Sequence, residues 1–181
     1  MKIVCLGDSL TETYGIDQKK GWVNLLRKEL NAETINAGIC GDTTNGMLAR
    51  CEQLIFKHKP SHLIILGGTN DLWYGLKKAY IISNLQAITS QAKYHEVVPV
   101  IGLPTLSYNL EELNTAQENY SESINSFRKA LLQYCINQDK ICIDFSKNME
   151  KEHFLEDGLH PNELGQKIMF QNALTVLKMI K

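Results

Sequence analysis

A serine, an Asp-x-x-His unit, an asparagine and a glycine-containing turn stand out for what they could do together. In "CLGDSLTETYG" an apolar run stops at Gly7 and passes at once to Asp8 and Ser9. A serine hydroxyl is a poor nucleophile unless a base takes its proton. An imidazole does so well only when a third group fixes its tautomer and orientation. Asp157 and His160, three positions apart in "DGLHPNELG", can supply both. On a turn, the carboxylate can reach Nδ1 while Nε2 points toward the serine. A tetrahedral intermediate also needs donors aimed at its oxyanion. A backbone N–H at Gly41, in "NAGICGDTT", and the side-chain amide of Asn70, in "GGTND", are the candidates.

These residues act together only if the chain gathers them. Apolar runs of strand length occur at 3–6, around Thr34 and Ile35, and at 63–66, 97–101 and 141–143, separated by longer segments of helical period. Trp22, Leu25 and Leu26 share one face of a helix, Met47, Cys51, Leu54 and Ile55 a second, and Ile81, Leu85, Ile88 and Ala92 a third. Ile124, Phe127, Leu131 and Cys135 continue the series, and Phe170, Ala173, Leu174 and Leu177 close it. Strands joined by single helices are parallel with right-handed crossovers. The economical architecture is therefore α/β, a three-layer αβα sandwich with a central parallel five-stranded sheet, flavodoxin-like in layout. Residues 1–181 read as a single domain with no repeat or linker. Every strand's carboxyl end then faces one edge, where open α/β sheets keep their ligands. Ser9 follows the first strand, Gly41 the second, Asn70 the third, and Asp157 and His160 the last.

Each signal has a structural alternative. Gly-Asp-Ser is a common turn former, Asn70 and Asp71 can cap the third helix, and His160 can cap the last one, with Pro161 at its first position. Co-location at one edge favours chemistry. In that reading Gly7 permits a sharp exit from the first strand, Asp8 ties the loop down, and Ser9 is exposed on it. Trp73 and Tyr108 are candidate substrate-binding residues, able to line an acyl channel, stack on a sugar or simply pack. Residues 104–120, polar and loop-like at their start, suit a lid or pocket wall. His58, His62, His95 and His153 have no motif partner and read as surface or incidental. No phosphate-binding glycine loop, G-x-S-x-G elbow or metal-ligand spacing occurs, so neither a cofactor nor a metal is expected.

Bulk properties narrow the partners. With 19 basic and 20 acidic side chains and a formal net charge of -1, the chain of 181 residues has no polycationic surface for nucleic acid or anionic lipid. The run at 3–6 is too short for a signal peptide or a membrane span. Five cysteines without C-x-x-C spacing suit reduced, mostly buried thiols. The expectation is a cytoplasmic protein without stable membrane anchoring.

The residues resemble the SGNH hydrolases, the GDSL family of lipases and acylhydrolases. Gly7-Asp8-Ser9-Leu10, the glycine of "GICGDTT", Gly68-Thr69-Asn70-Asp71 and Asp157-Gly158-Leu159-His160-Pro161 match that family's four blocks in order, over nearly the whole chain. "NAGICGDTTNGMLAR" and "LGGTND" look like the bacterial thioesterase/lysophospholipase branch, which has broad esterase activity. The resemblance implies a serine esterase acting on a small-molecule ester or thioester through an acyl-serine. Ser9 would be nucleophile, His160 base and Asp157 its orienter, with an oxyanion hole of Ser9, Gly41 and Asn70. A carbohydrate O-acetylesterase on the same machinery is the alternative. A flavodoxin-like flavin-binding module is a more distant one, resting on the hydroxyl-rich stretch from Ser9 to Thr13.

Overall fold

The computed structural model describes residues 1–109 and 111–180. Strands β1 (Lys2–Gly7), β2 (Glu33–Gly38), β3 (His62–Leu66), β4 (Val98–Leu103) and β5 (Cys142–Asp144) form one sheet. All its pairings are parallel, in the order β2-β1-β3-β4-β5. The helices are α1 (Ser9–Glu12), α2 (Trp22–Leu30), α3 (Thr44–His58), α4 (Thr69–Trp73), α5 (Lys78–Tyr94), α6 (Tyr120–Asn137) and α7 (Glu163–Met179). Strand order reverses between β1 and β3. In doubly wound sheets that switch point opens a crevice beyond the strands' carboxyl ends.

The strand period of two divides the core. Val4, Leu6, Leu63 and Ile65 pack with Met47, Cys51, Ile81, Leu85, Ile124 and Phe127 of α3, α5 and α6. Ile3, Cys5, Ile64 and Leu66 face the opposite way, onto Trp22 and Leu26 of α2 and Met169 and Ala173 of α7. Such strands are buried on both faces and read as continuous apolar runs, which is why the central ones are visible in the sequence.

Several boundaries differ from expectation. Val97 precedes β4, which instead runs on to Leu103. Val23 and Met169 are buried where Leu25, Leu54, Phe170 and Leu174 are only half-buried, because the stripes of these helices are rotated by about one residue. Pro161 does not open the last helix. It pairs with Phe154 in an antiparallel bridge, and Asn162 caps α7, its Oδ1 accepting the N–H groups of Leu164 and Gly165. An asparagine oxygen satisfies those first helical donors, whereas proline has no side chain to do so. His62 is buried at the start of β3 rather than at the surface.

Trp22 ties α1 to α7. It is fully buried, its Nε1–H donates to the carbonyl of Leu10 in α1, and its backbone N–H donates to Gln166 Oε1 of α7. The five cysteines are free thiols: Cys5, Cys51 and Cys135 buried, Cys142 half-buried and Cys40 exposed. Among the described residues no helix is long and apolar enough to cross a membrane.

Candidate active site

Ser9 is the first residue of α1, so the turn after β1 is helical at once and the hydroxyl does not stand out on an exposed loop. The residue is 8% exposed. Asp8 is responsible: its Oδ1 caps the helix by accepting the Leu10 N–H at 3.0 Å, and its Oδ2 accepts the Thr69 hydroxyl at 3.1 Å. Burial pushes the Asp8 carboxyl up to about 7, against the lowering effect of those two hydrogen bonds. As the first helical residue, Ser9 has no carbonyl one turn earlier to take its own N–H. Gly7 is needed for room, not for a special dihedral. A Cβ there would sit 2.1 Å from Thr11 Oγ1 and 2.6 Å from the Leu66 carbonyl.

The Asp157–His160 turn is pinned between Phe154 and Pro161, with the Leu155 N–H donating to the His160 carbonyl. Asp157 binds His160 twice. Its Oδ1 accepts the backbone N–H groups of Leu159 and His160 at 2.9 Å each, and its Oδ2 lies 2.7 Å from His160 Nδ1. Partial burial raises the Asp157 pKa, but the two N–H groups and the imidazole outweigh it, holding the carboxyl below its ordinary value. An ionised carboxylate only accepts, so the proton sits on Nδ1 and Nε2 is left as the acceptor. His160 Nε2 lies 2.9 Å from Ser9 Oγ. Three side chains thus form one hydrogen-bonded line across 151 residues of chain. The ring of Tyr14 packs on this imidazole in a tilted arrangement, the two centroids 4.5 Å apart.

Gly41 has φ +77°, a left-handed conformation that glycine adopts without strain. It is exposed, and a Cβ on it would meet nothing within 4 Å, so the backbone is open to an approaching ligand. Asn70 lies in α4, whose cap is Gly68, and is therefore not the helix cap. Its Nδ2 donates to the Asp42 carbonyl at 2.9 Å. An amide nitrogen carries two hydrogens, so this bond orients the second. Asp71 is structural: its two oxygens accept the N–H and hydroxyl of Thr44, tying α4 to the start of α3.

Trp73 is half-buried at the end of α4, edge-on to Tyr120. Tyr108 packs on Phe154 and donates its hydroxyl to the Met149 carbonyl, while its N–H donates to the Gly158 carbonyl beside Asp157. With Asn109, Leu155 and Gly158 it lines a cleft of about 520 Å³. In the segment 104–120, of which Leu110 lies outside the described residues, Asn114 bonds the Leu72 carbonyl and Thr115 the Trp73 carbonyl. Those bonds fix the segment against α4.

Sequence reasoning missed Tyr14 and Glu12. The Glu12 carboxylate accepts the Cys40 N–H, holding the residue before Gly41. The only available signal was their place in the polar stretch after Ser9. Among the described residues no cluster of three or more His, Cys, Asp or Glu side chains is placed to hold a metal.

Comparison with known proteins places the chain in a family. The model of the GDSL-like Lipase/Acylhydrolase family matches residues 5–168. Esterase TesA of Pseudomonas aeruginosa is 36% identical over 97% of this chain and 87% of that protein. Thioesterase 1/protease 1/lysophospholipase L1 of Escherichia coli is 26% identical over 91% of this chain and 77% of that protein. A crystal structure of TesA superposes with a TM-score of 0.85 at 25% identity, covering 100% of each chain.

Proposed function

The chain belongs to the GDSL-like lipase/acylhydrolase family of carboxylic ester hydrolases, and we propose that it works through an acyl-enzyme on Ser9. Ser9 Oγ attacks the acyl carbonyl as its proton passes to His160 Nε2. Asp157 keeps the imidazole in the tautomer that accepts it and stabilises the imidazolium formed. The carbonyl oxygen, now charged, takes hydrogen bonds from the Ser9 and Gly41 N–H groups and the second N–H of Asn70. His160 returns the proton to the departing alcohol or thiol. Water, deprotonated by the same nitrogen, then releases the acid and frees Ser9.

The observation that carries this reading is the 2.7 Å and 2.9 Å line from Asp157 through His160 to Ser9. The substrate is a small-molecule ester or thioester, the thioester being suggested by the relative's name. Trp73 and Tyr108 are its candidate binding residues. The machinery lies on one sheet, and the reading treats residues 1–181 as one hydrolase domain. A cytoplasmic setting is part of it, supported by five free thiols, Cys40 exposed next to Gly41. The same aromatics would also suit a carbohydrate O-acetylesterase. Rates on p-nitrophenyl esters of graded chain length, acyl-CoA and acetylated sugars distinguish the two. A preference for acyl chains supports the first reading, and turnover confined to acetylated sugars the second.

A further inference from the structure

Arg50 has no part in the chemistry above, yet it touches the frame of every proposed oxyanion donor. From α3 its guanidinium donates in three directions. Nε bonds Asp42 Oδ2 at 2.8 Å, Nη1 the Ala37 carbonyl at 2.7 Å, and Nη2 the Gly7 carbonyl at 2.9 Å. Gly7 ends β1 two residues before Ser9, and the Ile39 N–H donates to the same carbonyl. Ala37 lies in β2. Asp42 directly follows Gly41, and its own carbonyl accepts Asn70 Nδ2. One cation therefore joins the end of β1, the end of β2 and the loop that holds both Gly41 and the Asn70 amide.

Arginine suits this task because its planar, permanently charged fork satisfies several acceptors in fixed directions, which a lysine ammonium cannot reproduce. The guanidinium is largely shielded, with 19% of the side chain exposed, and Asp42, at 12%, compensates its charge. An oxyanion hole stabilises charge only if its donors are already aimed before the carbonyl is attacked. We infer that Arg50 is a positioning residue for the oxyanion hole, setting the Ser9, Gly41 and Asn70 donors in register for the tetrahedral intermediate. The inference rests on the roles proposed above for those three residues.

The test separates register from mere bracing of the fold. Arg50→Lys keeps a charge beside Asp42 but cannot hold all three acceptors. It should lower kcat by about 10- to 100-fold with KM within about twofold of wild type. Affinity for an alkyl boronic acid, whose serine adduct is tetrahedral, should fall by a similar factor, while affinity for the product carboxylic acid stays within about twofold. In Arg50→Ala, about 10 mM guanidinium ion should restore part of kcat, since the ion can re-occupy the fork's place. If Arg50→Lys loses only melting temperature, with kcat and boronate affinity unchanged in the folded protein, the inference is overturned. A rise in KM alone also overturns it. Should Arg50→Lys fail to fold, Asp42→Asn removes the ion pair and leaves the Asp42 carbonyl. It should lower kcat and boronate affinity together, and unchanged values overturn the inference. Ser9→Ala assayed in parallel keeps the two claims apart. An active Ser9→Ala means the acyl-serine reading has failed, whereas an inactive Ser9→Ala beside a normal Arg50→Lys means only the Arg50 inference has.

Discussion

Asn70 Nδ2 donates to the carbonyl oxygen of Asp42 at 2.9 Å, so the amide is held in one plane before any substrate arrives. In the proposed reaction its remaining N–H meets charge that exists only after attack. Asn70→Ala should lower kcat by about a hundred- to a thousand-fold with KM little changed. A bracing role would give the opposite pattern, a lower melting temperature with kcat retained. Steady-state kinetics and a thermal melt on the same variant decide between them.

Asp157 is expected to act through the tautomer of His160. Asp157→Asn can still accept the backbone N–H groups of Leu159 and His160 through its oxygen, so the turn should persist. Its NH₂, however, would face Nδ1 and place the imidazole proton on Nε2, where it cannot receive the Ser9 proton. The expected loss in kcat is roughly 10⁴-fold, larger than for Asp157→Ala, in which the ring can still find the productive tautomer. Equal activities for the two variants would remove the tautomer argument.

The buried Asp8 carboxyl gives a stability signature with a definite sign. Its pKa rises from 3.8 to about 7 on folding, so between those values the folded chain holds a proton that the unfolded chain has released. The stabilisation is complete below the unfolded value and is lost as pH rises through about 7. Asp8→Asn stays neutral, keeps an oxygen for the Leu10 N–H and can donate to Thr69. Its melting temperature relative to wild type should therefore climb from about pH 4 to about pH 7 and level off above. A difference independent of pH would show that Asp8 is not titrating in this interval.

Trp22 ties α1 to the core through its Nε1–H to Leu10 and its full burial. Trp22→Phe keeps much of the packing but leaves the Leu10 carbonyl without that donor. The cost should be about 1 to 3 kcal/mol, measured by denaturant unfolding. Activity at temperatures where the variant is folded should fall as well, because α1 begins at Ser9.

What the sequence made legible follows from where the signals are strongest. Fully buried parallel strands leave uninterrupted apolar runs, so β1, β3 and β4 are evident, and the polar residues after them had to share an edge once all strands were parallel. The turn after β1 was not legible as a helix, because α1 has only four residues and depends on the Asp8 cap rather than on a hydrophobic stripe. Proline's preference for first helical positions points to Pro161 as the start of α7, yet it is the Asn162 oxygen that accepts the orphan N–H groups of Leu164 and Gly165. Arg50 carries no sequence signal for another reason. It sits in α3 beside the stripe of Met47 and Cys51, and its partners are two backbone carbonyls and Asp42, which no spacing rule records.

The central claim, that Ser9 is the acyl acceptor, is tested most directly by covalent capture. A fluorophosphonate should add once per chain, on the peptide containing Ser9, with loss of ester hydrolysis in step with labelling. Ser9→Ala, folded as judged by circular dichroism, should neither label nor hydrolyse. A labelled or active Ser9→Ala protein would contradict the account.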